Sequence, residues 1–158
     1  MMKPISVWKQ ELSGGAHAAR LAALYCCAPE QTPAQAARYE AVLDGLEATF
    51  GPHAEAGLYS APGRTEIGGN HTDHQHGRVL AGSVNIDMIA AAGPNTLGQL
   101  RVQSEGYDLC VIDLNDLAAR KEEENTSAAI LRGECEAFRQ RGAKLSGLDV
   151  YLSSNVPK

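Results

Sequence analysis

The chain of 158 residues has no long apolar run, no C-x-x-C pair and no cluster of lysines and arginines. Without an apolar run of about 20 residues, it has no candidate membrane-spanning helix. A net charge of -5 without a basic run argues against an extended nucleic-acid surface. The first fifteen residues lack the apolar core of a secretory signal. We therefore predict a cytoplasmic protein that has neither a membrane nor a nucleic acid as a partner.

The four cysteines do not have the spacing of a zinc or disulfide framework. Cys26 and Cys27 are adjacent, which is a poor geometry for bridging each other. Cys110 falls in an apolar run, and Cys135 lies on a helical stripe. We therefore expect reduced thiols that behave as small apolar residues.

Two helices are predicted near the start of the chain. Residues 17–27 are rich in alanine and leucine, and Thr32-Pro33 provides a cap and a first helical residue for a second helix. Gly51-Pro52 ends that helix. We predict that these helices form an N-terminal arm, residues 1–55, which lies against a second unit, residues 56–158.

The second unit shows strand patterns followed by a helix and a last strand. Strands are predicted at 56–62, 84–93, 98–104, 107–114 and 147–158, with the first four read as the start of an antiparallel meander. In the last strand, Leu148, Val150 and Leu152 form the apolar face. The fold class that fits this order is α+β, a mostly antiparallel sheet with helices packed on one face.

The helix of the second unit is predicted at residues 123–142. Asn125 or Thr126 provides its cap, and Gly142 suits its end. Its apolar stripe is predicted from Ile130 or Leu131, Cys135 and Phe138, which recur at helical spacing.

A polar, glycine-rich stretch, GRTEIGGNHTDHQHGRVLAG at residues 63–82, interrupts these patterns. Three interpretations are open: a solvated polar loop, a metal site and a sugar site. A metal would use His71, Asp73, His74 and His76, whose imidazole and carboxylate groups are transition-metal ligands. A neutral hexose would be bound by Asn70, His71 and Asp73, because a carboxylate accepts from adjacent hydroxyls and an amide or imidazole takes the others.

The longer stretch APGRTEIGGNHTDHQHGRVLAGSVN resembles the galactose-binding signature of galactokinases, in the GHMP kinase superfamily. The positions that match in register are Gly63, Arg64, Gly69, His71, Thr72, Asp73, Gly77, Val79 and Leu80. The ending YLSSNVPK is similar to the strand that leads into the family's phosphate-binding loop. The resemblance implies that residues 56–158 form a GHMP kinase N-terminal domain that is incomplete and ends before that loop.

The resemblance also implies roles for the matching residues. Arg64 corresponds to an arginine near the transferred phosphoryl group, and Asn70, His71 and Asp73 correspond to sugar-binding positions. The family transfers the γ-phosphoryl of ATP, with Mg²⁺, to the anomeric hydroxyl of galactose. Two positions depart from the family: Asn70 replaces a glutamate and His74 replaces a tyrosine. The loss of a negative charge at Asn70 leads to the hypothesis that the sugar is galactose or a galactose derivative.

The sequence contains no G-x-x-x-x-G-K motif and no Gly/Ser-rich phosphate cradle. We therefore expect an N-terminal fragment that is inactive alone, binds no cofactor by itself and meets ATP through a missing C-terminal part. Self-association through the exposed truncated face is a further expectation. The alternative to a kinase is a non-catalytic, galactose-binding regulatory relative, and a metal-binding protein is the second alternative.

Overall fold

A computed structural model describes residues 2–69 and 72–157, apart from the side chain of Asp73. Four α-helices are found in these ranges: α1 Ile5–Ser13, α2 Ala18–Tyr25, α3 Thr32–Phe50 and α4 Ser127–Gln140. The strands are β1 Lys3–Pro4, β2 Glu55–Gly68, β3 Leu80–Pro94, β4 Gln99–Ser104, β5 Cys110–Asp113 and β6 Leu148–Ser154. Short 3₁₀ turns lie at Pro29–Gln31, Asp73–Gln75 and Lys121–Glu123. None of these helices is both long and apolar enough to cross a bilayer.

The strands form one sheet in the order β1-β2-β3-β6-β4-β5. Neighbouring strands are antiparallel except β4 and β6, which are parallel. The prediction of an α+β fold with a mostly antiparallel sheet is therefore confirmed. The predicted meander is wrong, because β6 inserts between β3 and β4 and separates two strands that follow each other in the sequence.

Helices α1, α2 and α3 pack on one face of the sheet. Their buried side chains form a single core with Ala56 of β2 and with Ile89 and Ala91 of β3. The contribution of α3 to this core consists of Ala36, Tyr39, Val42, Leu43 and Leu46. The short strand β1 also joins the helical segment to the sheet, since Lys3 pairs with Ala56. The division of the chain at residue 55 stays a prediction.

The start of α3 differs from the predicted cap. Thr32 is the first residue of the helix, and its hydroxyl donates to the carbonyl oxygen of Pro29 at 2.8 Å. The hydroxyl therefore closes the preceding 3₁₀ turn and does not accept from the first amides of α3. The predicted end is confirmed, since Gly51 follows the last helical residue with φ at 87°.

Helix α4 packs on the opposite face, at the β5 end of the sheet. Its Cys135 lies in a second core with Ile112 and Leu117, and Leu131 packs against the same core. The predicted cap is confirmed, because Thr126 accepts from the amide of Ala129 at 3.4 Å. Phe138 is 54% exposed, so its place in the apolar stripe is wrong.

The buried face of α4 includes a charged side chain. Arg132 is 3% exposed and donates to both carboxylate oxygens of Glu123. It also donates to the backbone carbonyl of Asp116. Arg132 lies one turn after Ala128 and about one turn before Cys135 on α4. The buried face of α4 therefore runs through these three residues and does not include Phe138.

Strand β6 has the predicted alternation, but the face that carries Asp149 is buried more deeply than the face that carries Leu148, Val150 and Leu152. Its most buried side chain is Asp149, which is 1% exposed and points toward the face covered by α3. Arg101 donates to both carboxylate oxygens at 2.7 and 2.6 Å, and Asn95 donates to one of them at 2.6 Å. His53 Nε2 lies 3.0 Å from the other oxygen. Four hydrogen bonds therefore compensate the burial of this charge.

The pKa of Asp149 reflects these contacts. Burial acts to raise the pKa of this carboxyl, but the hydrogen bonds from Arg101, Asn95 and His53 and the charge of Arg101 outweigh it. The result is a pKa below the usual value for aspartate. Asp149 is therefore charged in the folded protein at neutral pH.

Two glycines inside helices provide a matched test of the packing on the sheet. A Cβ atom at Gly45 of α3 would overlap the ring of Tyr151, whereas one at Gly133 of α4 would meet nothing within 4 Å. We expect Gly45→Ala to lower the free energy of unfolding by about 1–3 kcal/mol because the close contact must be relieved. We expect Gly133→Ala to raise it by up to about 1 kcal/mol through helix propensity. Urea denaturation measures both, and equal effects would contradict the packing of α3 on β6.

Candidate functional site

The polar stretch forms the end of a bulged hairpin. Residues 63–68 belong to β2, residues 80–82 belong to β3, and residues 69–79 form the connection. The pairing shifts twice, between Pro62 and Arg64 and between Glu66 and Gly68. At the first shift, three residues of β3 lie opposite Gly63 alone. Bulges of this kind turn side chains away from the regular pleat.

Gly63 brings the hairpin into contact with the end of β6. It is buried, and a Cβ atom there would lie 3.1 Å from Val84 Cγ2 and 3.3 Å from Val156 Cγ2. Any side chain at this position would push apart the hairpin and the segment that follows β6. The glycine therefore allows a close approach between the polar stretch and the residues after β6.

The connection is organised by Thr72 and two glycines. The hydroxyl of Thr72 donates to the carbonyl of Gly69 at 2.8 Å, and the carbonyl of Thr72 accepts from the amide of Gly77 at 2.8 Å. Gly69 has φ at 106°, and a Cβ atom at Gly77 would overlap the Thr72 side chain. The shape of the turn therefore depends on a hydroxyl at position 72 and on glycines at positions 69 and 77.

Arg64 follows the first bulge and lies opposite Ser83 on β3. Its side chain is exposed. Among the described residues, no carboxylate, hydroxyl or carbonyl pairs with its guanidinium group. Arg64 is therefore a cation at the end of the sheet whose hydrogen-bonding groups are available to a ligand.

The three predicted sugar-binding residues are not tested by the structure. Asn70 and His71 lie outside the described residues, and so does the side chain of Asp73. The backbone of Asp73 begins the 3₁₀ turn Asp73–Gln75, which lies between the two strands of the hairpin. Their roles stay predictions.

The predicted metal site is also untested, because His71 and Asp73 were two of its four ligands. Its other members, His74 and His76, are exposed. No group of three or more His, Cys, Asp or Glu side chains in the described part of the chain could hold a metal ion. The metal hypothesis therefore gains no support from the described residues.

A groove of about 670 Å³ lies on the face of the sheet that carries α4. Met88 of β3 and Leu152 of β6 line it on one side, Ile130 of α4 lines the other, and Val156 lies at its margin. Ile130 is 68% exposed and Met88 is 41% exposed. The groove therefore reaches the place where Val156 meets Gly63. Self-association through this face stays a prediction.

Asp87 is a buried carboxylate of β3 beside the hairpin, and the sequence patterns did not single it out. Tyr25 and Ser60 each donate to one of its oxygens at 2.6 Å, and Arg38 donates to the other at 2.6 Å. Because Tyr25 gives its only proton to Asp87, the hydroxyl of Tyr39 donates to Tyr25 at 2.7 Å. The signal in the sequence was one acid within the apolar run VNIDMIAAAG.

The contacts of Asp87 shift the pKa values of two groups. Burial acts to raise the pKa of Asp87, but the hydrogen bonds from Ser60, Tyr25 and Arg38 and the charge of Arg38 hold it below its usual value. Burial, followed by the hydrogen bonds to Asp87 and Tyr39, raises the pKa of Tyr25 well above its usual value. Asp87 is therefore an anion and Tyr25 a neutral donor across the physiological range.

Comparison with known families finds a match that includes the polar stretch. The family model described as the galactokinase galactose-binding signature matches residues 46–94. The chain is similar to the galactokinases. The matched range runs from the end of α3 through the bulged hairpin and includes Gly63, Arg64 and Asp87.

Curated relatives show the same similarity. The galactokinase of Streptomyces coelicolor is 35% identical over 103 residues, which are 64% of this chain and 26% of that protein. The galactokinase of Bacillus subtilis is 31% identical over 120 residues, which are 73% of this chain and 30% of that protein. The chain therefore spans less than a third of the length of these relatives.

Solved structures show that the fold is shared. A crystal structure of Lactococcus lactis galactokinase in complex with galactose matches with a TM-score of 0.63 at 20% identity, covering 73% of this chain and 30% of that one. The mevalonate kinase of Methanococcus jannaschii matches with a TM-score of 0.52 at 10% identity, covering 67% of this chain and 34% of that one. The predicted GHMP kinase fold and the resemblance to part of a galactokinase are both confirmed.

The Asp87 contacts generate a prediction about acid stability. Asp87 and Asp149 have lowered pKa values in the folded state, so their contribution is present above the unfolded value of about 4 and is lost as pH falls further. We expect the free energy of unfolding, from urea denaturation, to fall below about pH 4. Asp87→Asn should lower stability at pH 7 by about 3 kcal/mol and reduce the acid dependence.

Asp108→Asn serves as the control, because Asp108 is exposed and outside both networks. It should change neither the stability at pH 7 nor the acid dependence. An Asp87→Asn variant with unchanged acid dependence would show that the pKa of Asp87 is not lowered in the folded state.

Proposed function

We propose that this chain provides the acceptor-sugar side of a galactokinase-like kinase. The reaction is transfer of the γ-phosphoryl group of ATP to the anomeric hydroxyl of galactose or a galactose derivative. The observation that carries the proposal is the signature match over residues 46–94, whose Arg64 is exposed and unpaired among the described residues. The proposal is also supported by the close approach of Gly63 to Val156, because this contact brings the signature to the end of β6.

Arg64 has the properties that phosphoryl transfer requires of a cation at the acceptor. Transfer places negative charge on the phosphoryl oxygens and on the attacking hydroxyl oxygen, and a fixed positive charge stabilises both. The backbone that carries Arg64 is restricted by the bulge beside it and by the close contact of Gly63 with Val84 and Val156. We propose that Arg64 lies beside the transferred group and lowers the proton affinity of the anomeric hydroxyl.

Asn70, His71 and Asp73 are the proposed sugar-binding residues. A carboxylate such as Asp73 accepts hydrogen bonds from two adjacent hydroxyls, and an amide and an imidazole supply both donors and acceptors. Gly69, Thr72 and Gly77, which flank these positions in the sequence, are joined by hydrogen bonds. This set of side-chain types suits a neutral hexose with several hydroxyls.

ATP and Mg²⁺ are the co-substrate and cation that the proposed reaction requires. ATP would supply the phosphoryl group, and Mg²⁺ would neutralise charge on its phosphates. The 158 residues contain no phosphate-binding loop motif, so we assign none of them to the phosphates or to the cation. The roles proposed for this chain are those of binding the sugar and stabilising charge at its anomeric oxygen.

Sugar binding by the 158-residue chain tests the proposal. We expect saturable galactose binding in the millimolar range, which is about 4 kcal/mol of binding free energy, measured by saturation-transfer NMR. Glucose, the epimer at C4, should bind more weakly. Asp73→Asn should abolish binding while leaving the circular dichroism spectrum and thermal unfolding unchanged.

Asp108→Asn is the matched control for this experiment, since it removes the same charge from an exposed position elsewhere. Galactose binding that survives Asp73→Asn and is lost with Asp108→Asn would refute the proposed site. A protein that binds glucose and galactose equally well would refute the proposed sugar class.

The residue at position 70 generates a prediction about the sugar. Galactokinases usually have glutamate there, at the hydroxymethyl end of the sugar, and its charge would repel a sugar carboxylate. We expect Asn70 to permit binding of galacturonate as well as galactose, and Asn70→Glu to weaken galacturonate about tenfold while retaining galactose. Competition NMR with both sugars and N-acetylgalactosamine measures the preference. Equal loss of both sugars would show that Asn70 does not face C6.

A further inference from the structure

A second concave site lies away from the proposed sugar site. It is a cleft of about 500 Å³ between α1, α2 and the outer part of β2. None of the residues proposed to bind sugar or phosphoryl lines it. The cleft has an exposed apolar wall and an arginine without a partner in the described ranges.

The apolar wall consists of side chains that folding leaves in contact with water. Leu24 of α2 is 49% exposed and lines the cleft, and the partly buried Leu58 of β2 lines it next to the core. Trp8 of α1 also lines the cleft, and its indole nitrogen donates to the carbonyl of Ala56 at 2.8 Å. The tryptophan ring is therefore fixed in place. Exposed apolar groups around a rigid ring form a surface that gains free energy when an apolar group covers it.

The charge of the cleft comes from an arginine. His17 and Arg20 line it, and no aspartate or glutamate does. Arg20 is exposed, and within the described ranges it has no hydrogen-bond or ion-pair partner. The net charge of the chain is -5, so an arginine without a lining acid stands out from the surface average.

The acids nearest to the cleft are already paired. Glu11 binds His17 at 2.8 Å and Lys3 at 2.7 Å. Asp87, which lies behind the lining residue Ser60, is paired with Arg38. Neither acid is free to neutralise Arg20, so its charge remains available to an anion.

The floor of the cleft is rigid and polar. Ser60 and Tyr39 line it, and both hydroxyls are held in the hydrogen-bond network of Asp87. Their protons are directed to Asp87 and Tyr25, so their oxygens can only accept further hydrogen bonds. An ordered floor reduces the entropy that a ligand must overcome on binding.

We propose that this cleft binds a small amphipathic carboxylate, with its apolar part against Trp8, Leu24 and Leu58 and its carboxylate on Arg20. The combination of an exposed apolar wall with one unpaired arginine matches a ligand that has one apolar and one anionic end. A neutral apolar molecule would leave Arg20 unpaired, and a sugar would leave the apolar wall uncovered. The site is independent of the proposed kinase function.

Octanoate is a suitable probe, and Trp8 is a suitable reporter because it is the only tryptophan of the chain. We expect saturable octanoate binding to change the emission of Trp8. 1-Octanol, which has the same chain without the charge, should bind at least about tenfold more weakly. Arg20→Gln should weaken octanoate about tenfold, and Leu24→Gln should weaken octanoate and octanol alike.

Two variants control for charge and for location. Arg141→Gln removes an exposed arginine at the end of α4 and should leave binding unchanged. Ile130→Gln alters the groove on the other face and should also leave it unchanged. The proposal is overturned if Trp8 emission does not respond to millimolar octanoate, or if octanol binds as tightly. It is also overturned if Arg20→Gln binds as the wild type does, or if Ile130→Gln alone loses binding.

Discussion

The buried carboxylate of Asp87 connects helices α2 and α3 to the bulged hairpin and to the residues that follow β6. Its donors come from α2, α3 and β2, and its backbone carbonyl accepts from the amide of Asn155, just after β6. A buried charge is costly unless each lone pair is satisfied, so these elements can separate only by exposing an unpaired anion. The network therefore restricts how far the helices and the bulged hairpin can move relative to each other.

Asp149 applies the same constraint on the other side of the sheet centre. Its donors come from the segment after α3, from β4 and from the residue that follows β3, so it fixes the alignment of β6 between β3 and β4. A shift of β6 by one residue would turn Asp149 to the opposite face and leave Arg101 without its partner. Both carboxylates lie on the face covered by α1–α3, where apolar packing alone would tolerate several alignments.

Local patterns predicted the extent of α3 and the presence of β2 to β6, because their signals lie within the elements themselves. They failed where a distant partner decides the outcome. Alternation placed Leu148 inside and Asp149 outside, since the sequence does not show that Arg101 reaches Asp149. The glycines of the hairpin suggested a loop, whereas Gly63 provides close contact within a strand pair. The resemblance located the sugar motif correctly, but Asn70, His71 and Asp73 keep their roles as proposals.

The central position of β6 has a consequence for the order in which the chain assembles. One core joins α1–α3 with β2 and β3, and the other joins β4 and β5 with α4. Among the strands of the described residues, only β6 has neighbours in both halves. During synthesis, each half can collapse from contacts close in sequence, but the strand that joins them is complete only when residues 148–154 emerge from the ribosome. The pairing of β6 with β3 and β4 joins residues that are far apart in the sequence, and long-range pairing of this kind slows folding.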